Sequence, residues 1–286
     1  MAVIYGSLHV DEKYSGILEP NLYHGAIFAD GITFTSKYEE GPAGGIFVHK
    51  LTSTPAVPGT PGRDFTDEAT ADTLIPIVLN NNFQKSKKIY GVQAAAVSAP
   101  LADESLSMAT QEVGEGWNVA GCACLATEGT DMGDTAALTT ANVKTKVLAA
   151  RKMVADGKGK ANVLICNTDT YAKILEAAGA SFTPSLNDAW NMTGNIGTWL
   201  GFVVVEASAL NETTAKYYDH AGDLKEVDLS KVDFMLYNSE AFSIVNNFDV
   251  ARIIDSENFA GSKAQVELNA GYRVTSAPQV VVKKRA

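Results

Sequence analysis

The side chains able to carry chemistry in this 286-residue chain are few, and their spacing does not bring them together. Its histidines are His9, His24, His49 and His220. Nucleophilic catalysis needs a Ser or Cys beside a base that a third group orients. Three of these histidines fall before residue 50, in stretches without the rigid support of a preorganised site, and no Gly-x-Ser-x-Gly elbow occurs. They read as solvated or interface histidines. Cys122-x-Cys124 offers two thiolates, but tetrahedral zinc takes four ligands and no second Cys or His pair follows at usable spacing. The neighbours Val119, Ala120, Ala123 and Leu125 place both thiols in a core, and Cys166 sits in another apolar run, so three reduced, buried cysteines are expected. Gly194-Asn195-Ile196-Gly197 and the glycines at 157 and 159 match neither phosphate-loop pattern and read as turns. Asp64, Asp67, Glu68 and Asp72 lack the spacing of a calcium loop. They read as solvated loop charge, or as partners for Lys85, Lys87 and Lys88 of a second copy. Lys283-Lys284-Arg285 reads as a polar strand end. No catalytic, cofactor or metal site is assigned, and the chain reads as a non-enzyme.

A 46% hydrophobic, 20% charged composition supports a substantial core, in one large domain or two. The net charge of −10 argues against gripping nucleic acid as the main task, because that grip runs on Lys and Arg displacing counterions. An acidic wall can still enclose DNA without sticking to it. No run reaches the roughly 18 apolar residues of a membrane span, and Met1–His9 lacks the pattern of a signal peptide, so a cytosolic product is expected.

The elements are punctuated unevenly. Gly45–Leu51 and Thr73–Leu79 read as strands, separated by a Pro- and Gly-rich tip, Thr52 to Asp72. An isolated two-stranded ribbon is marginal in water, so burial against another copy is the expected remedy. Ala102, Leu106, Ala109, Val113 and Trp117 repeat at helical spacing and predict a long helix from about 99 to 115, ended near Gly114 and Gly116. From Thr139 the pattern alternates. A helix capped by Thr140 carries the stripe Val143, Val147, Ala150 and Val154. A strand follows at Asn162–Asn167, then a helix capped by Thr168 with the stripe Tyr171, Ile174, Leu175 and Ala178. Further strands are predicted at Gly201–Glu206, Lys216–Asp219 and Asp233–Asn238, with a short helical turn at Ser239–Val245. Ser262–Leu268, Gly271–Val274 and Gln279–Lys283 read as strands that return to the long helix.

This order of parts resembles the major capsid protein of tailed bacteriophages, whose fold is shared with encapsulin shells. The likeness is carried by Ile75-Pro76-Ile77-Val78-Leu79-Asn80 and Phe83–Ile89, by Asn167–Tyr171, by Gly197–Val204, and by the ending from Gly271 to Lys283. The resemblance implies an α+β fold with an N-terminal arm (1–25) and an extended hairpin loop (26–92). A peripheral domain with a spine helix (93–137), an axial domain (138–239) and returning peripheral strands (240–286) complete it. It implies a subunit that self-assembles through pentamers and hexamers into an icosahedral head around double-stranded DNA, located in the virion and assembled in the host cytoplasm. It needs no cofactor and no membrane. Portal and decoration proteins are further implied partners, and a separate scaffolding protein is expected because the chain leaves no stretch for a built-in one. The expected inter-subunit contacts are Ile46, Phe47, Val48, Leu74, Ile75 and Ile77 on the loop strands, Asp67 and Glu68 against Lys85, Lys87 and Lys88, and Trp199 beside an axial loop. The alternatives are an encapsulin-type compartment and a cytosolic α/β enzyme with the 41–72 tip as a lid.

Overall fold

The computed structural model describes residues 27–28, 30–36, 45–52, 71–92, 101–179, 183–184 and 196–286. The organising element is a 28-residue helix, α1 (Leu101–Glu128), with Asp103 and Glu104 at its positive end. It runs straight through Gly114 and Gly116, where the composition predicts its end. Glycine inside a helix costs about 1 kcal/mol relative to alanine, and packing offsets part of that. A Cβ at Gly116 would sit 3.2 Å from the Phe83 ring, and one at Gly121 would sit 2.5 Å from Phe28. The first half of α1 buries one stripe that includes Ala109 and Val113; from Ala120 to Ala126 the helix is buried all round.

The first half of α1 lies on a three-stranded antiparallel sheet made of β3 (Asn81–Tyr90), β12 (Phe242–Asp255) and β13 (Gly261–Val274), in the order β12-β13-β3. β12 is absent from the predicted elements. Only Ser239–Ala241 forms the expected helical turn, closed by the Asn238 side chain accepting from the Glu240 amide. Phe242, Ser243, Ile244 and Val245 are then buried on both faces, and a register shift at Asn246/Phe248 breaks the alternation that marks a strand. β13 is one strand rather than the two predicted, because Gly271 does not break it. Its bare Cα admits the Val78 carbonyl, which a Cβ would meet at 2.8 Å.

The second half of α1 packs on a seven-stranded mixed sheet. Its members are β4 (Thr130–Asp131), β5 (Val163–Cys166), β6 (Thr183–Pro184), β7 (Ile196–Trp199), β8 (Phe202–Glu206), β11 (Val232–Tyr237) and β14 (Val280–Lys284), in the order β4-β14-β11-β5-β8-β7-β6. Helices α2 (Val143–Asp156) and α3 (Thr168–Ala178) cover the opposite face. The α2 stripe Val143, Val147, Ala150 and Val154 is fully buried, as its spacing predicts. In α3, Tyr171, Ile174 and Ala178 are buried but Leu175 is exposed. Neither predicted cap holds. α2 starts at Val143 after Asn142, and the Thr140 hydroxyl bonds Glu176 instead. Asn167, not Thr168, caps α3 by accepting from the Thr170 amide.

β14 belongs to this sheet, beside β11, and not with the strands around the first half of α1. Val280, Val281 and Val282 are all buried, which suits only a sheet covered on both faces. β9 (Ala215–Tyr218) and β10 (Leu224–Val227) form a separate hairpin. Residues 27–28 and 30–36, which the resemblance assigns to the extended loop, include side chains packed into the core beside α1. Phe28 stacks edge-on to Trp117, and the Tyr237 hydroxyl donates to the Thr33 carbonyl. The arm at 1–25 and the loop tip at 53–70 lie outside the described residues. Among those described, no helix is long and apolar enough to cross a membrane.

Candidate assembly surface

The two predicted loop strands form a ribbon, β1 (Gly45–Thr52) with β2 (Ala71–Val78), in a continuous eight-pair antiparallel register. Directly opposed residues in such a pair share a face. Ile46 with Ile77, Val48 with Ile75, and Lys50 with Thr73 therefore make one face, while Phe47 with Pro76 and His49 with Leu74 make the other.

The first face is satisfied by the chain itself. Ile77 and Val48 are buried against Val245 of β12, with Ile46, Ile75 and Leu79 packed around them. The Lys50 ammonium donates to the Thr275 carbonyl at 3.2 Å. The expectation that the whole ribbon needs a neighbour is thus corrected: its base rests on its own body. The second face has no such cover among the described residues. Phe47 is 63% and Leu74 53% exposed, large apolar side chains held side by side on a ribbon whose outer edge is tied by the His49–Asp72 contact.

The other expected contact residues separate by the same test. Lys85 and Lys87 face α1, where the Glu112 carboxylate holds them at 2.9 and 2.7 Å, so within this chain both already have an acidic partner. Burial pushes the Glu112 acid up, but the two lysines more than offset this and hold it below its ordinary value. Lys88 points from the opposite face of β3 and is exposed. Trp199 is only 2% exposed, inside the core under α2 and α3, so its side chain is no contact residue. Asp67 and Glu68 lie outside the described residues. Val245 could not be singled out in advance, since the run containing it reads as a helical turn. Asn81, which fixes the ribbon's root, sits in the run Asn80-Asn81-Asn82 that a turn explains equally well.

The buried reactive groups are structural. Burial pushes the thiols of Cys122, Cys124 and Cys166 up, away from the reactive thiolate. Among the described residues, no group of three or more His, Cys, Asp or Glu is gathered to hold a metal. His220 meets Arg273, which pairs with Glu128 at 2.7 Å, and joins the β9–β10 hairpin to the end of α1.

No protein-family model matches the sequence, and no curated protein matches it. Solved structures do. A chain from Mycobacterium phage Che8 aligns with a TM-score of 0.69 at 15% identity, covering 98% of each chain. The capsid structure of cyanophage P-SCSP1u aligns at 0.72 and 11% identity, covering 96% of this chain and 92% of its own. The mature capsid of bacteriophage PhiM1 aligns at 0.66 and 12% identity, covering 100% and 97%. The chain has the tailed-phage major-capsid fold. At such identities the capsid fold is preserved by the order and packing of elements, not by particular residues. The alignments span almost the full length of both partners, so the long helix, both sheets and the ribbon all belong to it.

Proposed function

We propose that this chain is the major capsid protein of a tailed double-stranded DNA phage, a structural subunit without catalytic activity that builds the icosahedral head. The observation that carries the reading, beyond the fold, is the uncovered face of the ribbon, with Phe47 and Leu74 facing outward. Full burial of such a side chain contributes about 1.5–3 kcal/mol. That is modest for one contact, but head-to-tail contacts repeated around rotation axes close into rings, and each subunit of a closed shell makes several. In this reading the ribbon's inner face fixes its direction and its outer face lies on the next copy. Residues 1–25 supply an arm, α1 the spine helix of a peripheral domain, and the seven-stranded sheet the axial domain. Pentamers and hexamers, a separate scaffolding protein, portal and decoration proteins, and assembly in the host cytoplasm all belong to the proposal.

The test is Phe47→Ser together with Leu74→Ser. Both positions are exposed, so the thermal midpoint of the isolated subunit should stay within about 2 °C of the parent. Electron microscopy should find closed particles from the parent and none, or only open fragments, from the variant. Normal shells from the variant would sink this assignment of the ribbon.

A further inference from the structure

Helix α2 and the turn after it carry Lys144, Lys146, Arg151, Lys152, Lys158 and Lys160 against a single acid, Asp156, in a chain whose net charge is −10. Lys146 is held by Asp134. Lys144, Arg151, Lys152, Lys158 and Lys160 are all exposed, and none forms an ion pair among the described residues. Arg151 alone has a ring partner, Phe202, at 5.8 Å from its centroid. The nearby acids are few: Glu176 of α3 is engaged by the Thr140 hydroxyl, and Asp169 by Lys173.

Helix stability does not account for this order of charges. Lys144 and Lys146 sit in the first turn and Asp156 at the last residue of α2, each at the end of the macrodipole that disfavours it. The display is also rigid. The buried stripe of α2 fixes its roll on the sheet, leaving Lys144 and Arg151 on one flank and Lys152 outermost. Beyond the helix, Lys158 occupies a left-handed conformation at φ +60. It is flanked by two glycines seated against the turn before β14: a Cβ at Gly157 would lie 2.4 Å from the Pro278 carbonyl, and one at Gly159 would lie 2.7 Å from the Gln279 side chain. Seven or eight residues separate Lys144 from Arg151 and Lys152, about 11 Å along the axis, and the turn extends the line of cations further. This is a linear array of positive charge, not a pocket. The large apolar side chains exposed on α2 and α3 are Leu148 and Leu175, each 40% exposed, too little to form the apolar centre of a protein interface.

We propose that this face binds the phosphate backbone of nucleic acid without reading its sequence, and that it marks the wall of the shell turned toward the enclosed DNA. The location in the shell rests on the capsid reading; the binding does not. Residues 143–160 contain no Asn, Gln or aromatic side chain to read or stack on a base, which suits backbone contact. An otherwise acidic subunit would then present this cationic strip to the polyanion.

The test uses the full-length, unassembled subunit and a fluorescent duplex DNA of random sequence, titrated at several salt concentrations. Each phosphate neutralised contributes about 0.9 to the slope of log affinity against log salt, so a slope of about −3 to −5 is expected. Lys144→Glu, Arg151→Glu and Lys152→Glu together should weaken binding at least about tenfold at low salt. The same three positions changed to Gln should lower the slope by about 3 and guard against a folding failure of the reversal variant. Unchanged binding in the Gln variant overturns the proposal. So does tighter binding of poly-glutamate than of duplex, which would mark an acidic protein as the occupant. Electron microscopy of the Gln variant separates the two readings: shells that form but no longer retain DNA against salt support both, whereas a parent protein that binds duplex and forms no shells defeats the capsid reading alone.

Discussion

The side chain of Asn81 pairs with the backbone of Tyr218 as a strand neighbour would: its Oδ1 accepts from the Tyr218 amide at 2.8 Å and its Nδ2 donates to the Tyr218 carbonyl at 3.1 Å. Asn80 adds a longer bond to the Asp219 carbonyl. The root of the ribbon is thereby tied to the β9–β10 hairpin, and Asn81 is itself buried. Replacing Asn81 with Ala removes both bonds and strands two part-buried backbone groups. A loss of about 1–3 kcal/mol is expected in urea unfolding, with faster hydrogen exchange at the Tyr218 amide.

Two glycines of α1 should respond with opposite signs. A Cβ at Gly114 meets nothing within 4 Å, so Gly114→Ala should stabilise by about 0.5–1 kcal/mol through helix propensity. A Cβ at Gly121 would meet the Phe28 ring at 2.5 Å, and Phe28 is wedged between Trp117 and Phe242. Gly121→Ala should therefore destabilise by about 1–3 kcal/mol despite the same propensity gain. Denaturation midpoints of the two variants decide it.

Acid sensitivity should run in part through Glu112. Its carboxyl is held below the ordinary value in the fold, so the unfolded chain binds the proton more tightly. The stabilisation is present above the ordinary carboxylate range, about pH 4, and is lost as pH falls through the lowered value. Asp134, lowered by its bond from Lys146, acts in the same sense. Asp233, raised chiefly by burial, acts in the opposite one. Glu112→Gln should flatten the fall of the thermal midpoint between about pH 5 and 2 while lowering the plateau above it.

The three cysteines should be silent to alkylation in the native subunit at pH 8 and should all react once it is unfolded. Burial both blocks access and pushes each thiol up. Mass spectrometry after iodoacetamide treatment reads the number of adducts, and a labelled native subunit would contradict the core placement of these side chains.

The local features were legible in the residues because they depend on near neighbours. The stripe Val143, Val147, Ala150 and Val154 follows from a period of 3.6, the ribbon strands read at 45–51 and 73–79 are found at 45–52 and 71–78, and the thiols were placed inside by their apolar neighbours. The order of elements was enough to point to the capsid fold. Of the candidate assembly surface, Phe47 and Leu74 were legible as members of a ribbon, but nothing distinguished them from Val48 and Ile77 on its other face.

Those distinctions belong to the tertiary structure. Alternation tells which side chains share a face; it does not tell which face another element will cover. Val245 decided that Val48 and Ile77 turn inward, Glu112 drew Lys85 and Lys87 into ion pairs within the chain, and the sheet core claimed Trp199. Phe83 and Phe28 filled the space beside Gly116 and Gly121, so a helix that composition ends near residue 115 continues to Glu128. Burial and ion pairing are properties of pairs of residues far apart in the chain, and their partners become known only when the elements are stacked.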